Sequence, residues 1–138
     1  AVKPDESILK DKNVLLAEDN DINAAVAMEI LKAHGMNVER AKDGQEVVDM
    51  YLKSAEGRYD AILMDVRMPK IDGMQATKII RNSSHERAKS IPIIAMTADA
   101  FDEDMKRTMQ AGMNAHLTKP IDIKKLIKTL VSLTHKEN

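Results

Sequence analysis

Five residues, Ala61-Ile-Leu-Met-Asp65, constrain this chain more than any others. Four apolar residues run directly into an aspartate, and Pro69 ends the stretch four positions later. A short apolar run bounded by a turn former reads as a buried strand, here with a carboxylate at its C-terminal tip. Three more apolar runs end in polar groups: Leu15-Leu-Ala17 in Glu18-Asp19, Ile93-Ile-Ala-Met96 in Thr97, and Ala115-His-Leu-Thr118 in Lys119. If the strands are parallel, all four tips open on one edge of one sheet. That edge would gather three carboxylates, a hydroxyl and an ammonium, a set suited to accepting a phosphoryl group.

The intervening segments read as helices. After the acidic Glu18-Asp19, Asn20 or Asp21 can cap a helix over residues 21–34, and Gly35 is a credible stop. In it Ile22, Ala25, Val26, Ile30 and Ala33 recur at helical spacing, which predicts that this face packs inward. Asn37 to Ala41 is half apolar and suits a strand toward the sheet edge. Asp43-Gly-Gln-Glu46 resembles a capping box ahead of an amphipathic helix with Val47, Val48, Tyr51 and Leu52. Lys70-Ile-Asp-Gly73 marks a turn, a helix follows over 74–81, and the polar residues 82–90 read as an exposed loop. Pro92 stands near the start of the fourth strand, where a missing N–H is tolerated. Phe101, Met105 and Met109 lie four apart on a fourth helix closed by Gly112, and a fifth strand spans 114–118. Ile123, Leu126, Ile127, Leu130 and Val131 give the clearest helical stripe, with Lys124, Lys125 and Lys128 off it, on what reads as a solvated face.

Strand and helix therefore alternate five times, which predicts an α/β fold with helices on both faces of a parallel sheet. Right-handed crossovers leave few topologies. The common five-strand solution is the flavodoxin-like doubly wound sheet of order 2-1-3-4-5, with ligands bound where strands 1 and 3 diverge. Those are the strands ending in Glu18-Asp19 and Asp65. The expected domain covers residues 12–135, flanked by a polar linker or N-terminal extension at 1–11, free of fixed structure, and a tail at 136–138. An opening Ala1 in place of methionine suggests a piece of a longer chain.

Composition closes off several functions. A net charge of −1 argues against a nucleic-acid binder driven by phosphate neutralisation. No apolar run approaches the roughly 20 residues that span a bilayer. Without cysteine there are no disulfides or thiolate metal sites, which is compatible with a cytoplasmic location. With three aromatic residues and ten methionines, the core is expected to be aliphatic, its gaps filled by methionine.

Three carboxylates brought together repel and need a cation at neutral pH. Oxygen donors with no cysteine or histidine among them favour a hard ion such as Mg2+. Asp19 and Asp65 would be direct ligands and Glu18 would act through water. An aspartate can also attack phosphorus and carry an acyl phosphate. Lys119 supplies a compact positive charge on a long stem, and Thr97 can donate a hydrogen bond to a phosphate oxygen. Each residue has a plainer alternative when taken alone: a helix cap, a strand-end threonine, a surface lysine.

Together these residues resemble the receiver domain of two-component signalling proteins. Glu18-Asp19-Asn20 is similar to its acidic pair, Met64-Asp65-Val-Arg-Met-Pro69 with Asp72-Gly73 to its phosphoacceptor motif, and Met96-Thr97-Ala98 and Lys119-Pro120 to its two remaining signatures. The likeness runs from about Asn13 to Leu133. Glu18-Asp19-Asn20-x-x-Asn23 and Gly112-Met-Asn114 look most like receivers attached to hybrid sensor histidine kinases. The resemblance implies that Asp65 is phosphorylated from a phosphohistidine, on a histidine kinase or a histidine-phosphotransfer domain. It implies that Asp19, Asp65 and the backbone carbonyl of Arg67 hold Mg2+, and that Thr97 and Lys119 contact the phosphoryl group. Lys119-Pro120 is expected to be cis, and the first helix, with Ile22 and Asn23 near the site, to be the docking edge. A domain of this kind is not an enzyme in isolation, contacts neither nucleic acid nor membrane directly, and leaves a homodimer open. Its parent chain could be membrane-anchored.

One position departs from the family pattern. His116 stands where tyrosine or phenylalanine often serves as a rotameric switch with Thr97; it could still swing, or be a plain strand histidine. Arg67 and Asp99 each lie two residues past a site residue, and their side chains could meet as a lid over the acyl phosphate. The competing readings are an aspartate-nucleophile phosphatase, a flavodoxin-like cofactor binder and a degenerate receiver acting as a scaffold. Arg67 disfavours the first, since many such phosphatases carry a second aspartate there. An acidic first loop disfavours the second, and the full residue set the third.

Overall fold

Successive residues of a strand point to opposite faces of its sheet, so a run that is apolar at every position needs cover on both. Leu15, Ile62, Met64 and Ile93 face one core, and Leu16, Leu63, Ile94 and Met96 face the other. The computed structural model describes residues 6–98 and 102–134. Its strands are β1 (Asn13–Ala17), β2 (Asn37–Ala41), β3 (Ala61–Asp65), β4 (Ile93–Thr97) and β5 (Ala115–Thr118). They alternate with helices α1 (Asp21–Ala33), α2 (Gly44–Lys53), α3 (Gly73–Arg81), α4 (Asp102–Ala111) and α5 (Ile123–Thr134). The strands are all parallel in the order β2-β1-β3-β4-β5, as the alternation predicts.

Helices α2 and α3 bury Val47, Val48, Tyr51, Ala76 and Ile80 against the first face, and α4 packs beside α3. Helices α1 and α5 cover the second face with Ala24, Ala27, Leu31, Leu126, Ile127 and Leu130. β2 lies at the sheet edge, as expected from its mixed polarity. The methionine expectation holds in part: Met36, Met64, Met96 and Met113 are buried, alongside two buried tyrosines, Tyr51 and Tyr59. Among the described residues no helix is long and apolar enough to cross a membrane.

The helix ends follow their sequence signals. Asn20 caps α1 by accepting from the Asn23 N–H at 2.9 Å. Gly35, at φ +84°, ends it: the Gly35 and Met36 N–H groups turn back to the Lys32 and Leu31 carbonyls. Asp43 caps α2 by accepting from the Glu46 N–H, while the Glu46 carboxylate reaches back to the Lys42 N–H rather than to Asp43. The reciprocal capping box is at α3, between Asp72 and Gln75.

Five expectations are corrected. In α1 the inward face is Ala24, Ala27 and Leu31, whereas Ile22 is 76% and Val26 54% exposed. The helix is apolar on two faces; the alanines let it lie close to the sheet, and the larger side chains are left outside. In α4, Met109 is half exposed and, among the described side chains, Thr108 and Ala111 are buried; Phe101 lies outside the described residues. At the start of α5, Ile123 is exposed. The segment 82–90 is not wholly exposed: Ala88 is buried, and its carbonyl accepts from the Arg81 guanidinium at 2.9 Å. Within the segment expected to lack structure, Glu6–Leu9 forms a short 3-10 helix and Leu9 is fully buried beside α5.

Candidate functional site

Parallel pairing of β1 with β3, and of β3 with β4, sets their C-terminal ends side by side. Glu18 and Asp19 follow β1 directly and Asp65 closes β3. Glu18 is 1% and Asp65 5% exposed, while Asp19 is open to solvent. Lys119, one residue past β5, reaches back across the edge. Its Nζ donates to Glu18 Oε1 at 2.9 Å and to Asp65 Oδ2 at 3.0 Å, joining residues 101 and 54 positions apart. The Arg67 N–H donates to Asp65 Oδ1 at 3.2 Å. Thr97 closes β4, is buried, and accepts the Lys119 N–H on its carbonyl at 2.8 Å. The Lys119–Pro120 bond is cis, as the resemblance implies. An open cavity of about 280 Å³, lined by Asp19, Asn23, Asp65, Arg67, Thr97 and Lys119 among others, covers the cluster.

The C-terminal end of β3 is pinned from beneath. The Gly73 N–H donates to the Val66 carbonyl at 2.9 Å, and a Cβ on Gly73 would stand 2.2 Å from the Asp65 carbonyl oxygen. A side chain at 73 would therefore push the start of α3 away from the end of β3.

Burial and the adjacent Glu18 carboxylate push Asp65 up to about 7, against the pull of Lys119. Burial also opposes ionisation of Glu18, but its hydrogen bonds to Asp65 and Lys119 prevail and hold it below the usual range. Lys119 loses solvation, yet the two carboxylates hold its ammonium above the ordinary lysine range. The pair of buried acids, with one ammonium between them, thus holds a proton more tightly than a free aspartate does.

Carboxylate oxygens of Glu18, Asp19 and Asp65 all lie within 4.8 Å of one another. Glu18 Oε2 is buried without a hydrogen-bond partner. An all-oxygen donor set with a surplus of negative charge and an unsatisfied buried oxygen fits a hard divalent cation such as Mg2+.

The structure thus brings together every residue expected at the strand tips. His116 is half-buried, and neither ring nitrogen has a hydrogen-bond partner. It lies between a small cavity shared with Thr97, Val66 and Thr108 and an open groove beside Met105 and Met109 of α4. Asp99, the other half of the expected Arg67 lid, lies outside the described residues. Sequence reasoning missed Arg40, whose guanidinium contacts the loop carrying Glu18 and Asp19. No pattern marks a single arginine in an edge strand.

The profile of the response regulator receiver domain matches residues 14–131. The chain belongs to this family. It is a receiver domain of two-component signalling. It is 40% identical over 121 residues to hybrid signal transduction histidine kinase M of Dictyostelium discoideum, covering 87% of this chain but 5% of that kinase. Among solved structures it is similar to the receiver domain of sensor histidine kinase PA1611 from Pseudomonas aeruginosa PAO1, at TM-score 0.82 and 37% identity, covering 91% of this chain and 99% of that one. That structure has a magnesium ion coordinated in its active site cleft. The receiver is also similar, at TM-score 0.80 and 30% identity, to a chain of the Saccharomyces cerevisiae co-crystal of the phosphotransfer protein Ypd1 with the receiver domain of Ssk1, covering 91% of this chain and 90% of that one.

Proposed function

We propose that this receiver takes a phosphoryl group from a phosphohistidine onto Asp65 in a Mg2+-dependent reaction and relays it as a conformational signal. The observation carrying the proposal is the Lys119 ammonium held at 2.9 and 3.0 Å from two buried carboxylates, one of which is Asp65. In the step itself a carboxylate oxygen of Asp65 attacks phosphorus. The P–N bond to the donor imidazole breaks, its electron pair returns to the ring nitrogen, and an acyl phosphate forms. Lys119 offsets charge on the transferring group, and the Thr97 hydroxyl donates to one of its oxygens. Asp19, Asp65 and the Arg67 carbonyl would hold Mg2+ directly and Glu18 through water; a bound ion supplies charge neutralisation of the phosphoryl oxygens.

Thr97 and His116 are the proposed switch. Movement of Thr97 toward the phosphoryl group changes the cavity it shares with His116, so phosphorylation biases the surface formed by α4, β5 and α5. The domain, with proposed bounds 12–135, acts in the cytoplasm and promotes phosphorylation and dephosphorylation of its own aspartate.

Incubation with Mg2+ and acetyl phosphate followed by mass spectrometry tests the assignment. One added phosphate is expected on the wild type and none on Asp65→Asn; equal labelling of both would refute it.

The proposed partner is a histidine kinase or a histidine-phosphotransfer domain, docking on α1. A groove of about 460 Å³ between α1 and the chain after β5 is lined by Val26, Ile30, Met96 and Ile121, with Lys119 and Glu18 at its margin. Exposed Ile22 and Val26 and this groove support α1 as the docking edge, and the Ypd1 complex of the Ssk1 receiver supports a phosphotransfer partner. Val26→Asp is expected to slow transfer from a phosphorylated phosphotransfer domain at least about tenfold, the weight of a well-packed interface residue. Labelling by acetyl phosphate should be unchanged, and equal losses with both donors would exclude a docking role.

A further inference from the structure

The Glu18 backbone is held on both sides by β2. Its N–H donates to the Ala41 carbonyl at 3.1 Å. Its carbonyl accepts from Arg40 Nε at 3.0 Å and from Nη2 at 2.9 Å. That carbonyl belongs to the peptide joining Glu18 to Asp19, so the guanidinium fork sets the plane from which Asp19 projects. The remaining nitrogen, Nη1, donates to Asp21 Oδ1 at 2.7 Å, in the first turn of α1.

We propose that Arg40 is a positioning residue for the divalent cation, acting through the Glu18–Asp19 peptide rather than through its charge. The inference rests on the Mg2+ site proposed above. The Arg40 side chain is 16% exposed and that of Asp21 is 87% exposed. The Asp21 pair is therefore screened by water and holds the loop weakly. The fork on the Glu18 carbonyl is sheltered, and its two donors are fixed in one plane, which a lysine cannot reproduce.

Charge and geometry make opposite predictions here. A cation beside three carboxylates weakens the local negative potential, so by charge alone its removal tightens Mg2+ binding. By geometry, its removal releases the peptide on which Asp19 is mounted. Groups that orient a metal ligand typically govern affinity by tenfold or more.

The test titrates Mg2+ alone into wild type, Arg40→Ala, Arg40→Lys and Asp21→Ala, read by amide NMR shifts. Arg40→Ala and Arg40→Lys should each bind about tenfold more weakly, and Asp21→Ala within about twofold of wild type. In metal-free protein, backbone order parameters at Asp19 and Asn20 should fall from rigid values toward about 0.6 in both Arg40 variants. Unchanged or tighter binding by Arg40→Ala overturns the proposal, as does wild-type affinity in Arg40→Lys. A lowered melting temperature with Mg2+ affinity retained also overturns it, by leaving Arg40 a purely structural role. If Arg40→Ala does not fold, Arg40→Lys decides alone. Absence of Mg2+ binding in the wild type would instead overturn the functional reading, and this inference with it.

Discussion

In metal-free buffer at about pH 8, Asp65→Asn is expected to be more stable than the wild type by about 2–4 kcal/mol, and at about pH 4 by almost nothing. An unfolded aspartate titrates near 3.9, whereas burial and Glu18 push folded Asp65 up to about 7. The folded state therefore binds this proton more tightly than the unfolded state does. Stability from this group is full below about pH 4, is lost as pH rises to about 7, and is flat above that. Three pH units at 1.36 kcal/mol each set a ceiling of about 4 kcal/mol. Asparagine keeps the shape and removes the second buried negative charge, leaving Glu18 and Lys119 as a neutral pair. Urea midpoints across this pH range check the expectation; a stability difference that does not change with pH would contradict it. Mg2+ should narrow the gap at pH 8 by stabilising the wild type more than the variant, which lacks one of the three carboxylates, because it binds the native acids and not the dispersed ones.

The same substitution abolishes the proposed phosphorylation. The carboxylate proposed as the phosphoacceptor is thus one that the fold holds at a cost. The site departs from the arrangement that would be most stable, as functional sites commonly do.

How far this was legible in the sequence differs from element to element. β3 and β4 could be read because every position is apolar, which happens only where both faces are covered. Their tips could be read because Asp65 and Thr97 interrupt those runs abruptly. The orientation of α1 could not be read: Ile22 and Val26 are more hydrophobic than Ala24 and Ala27, yet the alanines face the sheet because close approach favours small side chains. In α4, helical spacing of Met105 and Met109 did not identify the packed face, since methionine is tolerated on either side of a helix. Arg40 gave no signal because its role lies in which carbonyl it meets, and that depends on β2 lying against β1. The close approach of Gly73 to the Asp65 carbonyl was equally invisible, although the turn containing Gly73 was not.

Lys119→Met should shift stability in the opposite direction. Glu18 and Asp65 side chains are 2% and 6% exposed, and the ammonium between them is their shared cation. Removing one member of a buried ionic cluster costs about 3–5 kcal/mol, because the groups left behind are neither solvated nor paired. The loss should appear at about pH 8 and shrink toward pH 4, where both acids can bind protons and no charge is left stranded. It should also shrink in an Asp65→Asn background, which leaves one acid in place of two, and a double-mutant cycle reads that coupling directly. Phosphoryl transfer should fall about a hundredfold or more even under conditions where the variant is fully folded, the weight of one charge-stabilising donor at a reacting centre. The two readouts then separate the two duties of this lysine: acid or Asp65→Asn restores the fold, whereas transfer, read with Asp65 intact under conditions where the variant is folded, stays low. A variant with wild-type transfer would leave Lys119 a structural counter-ion, and the chemistry would fall to Asp65, Thr97 and the metal ligands.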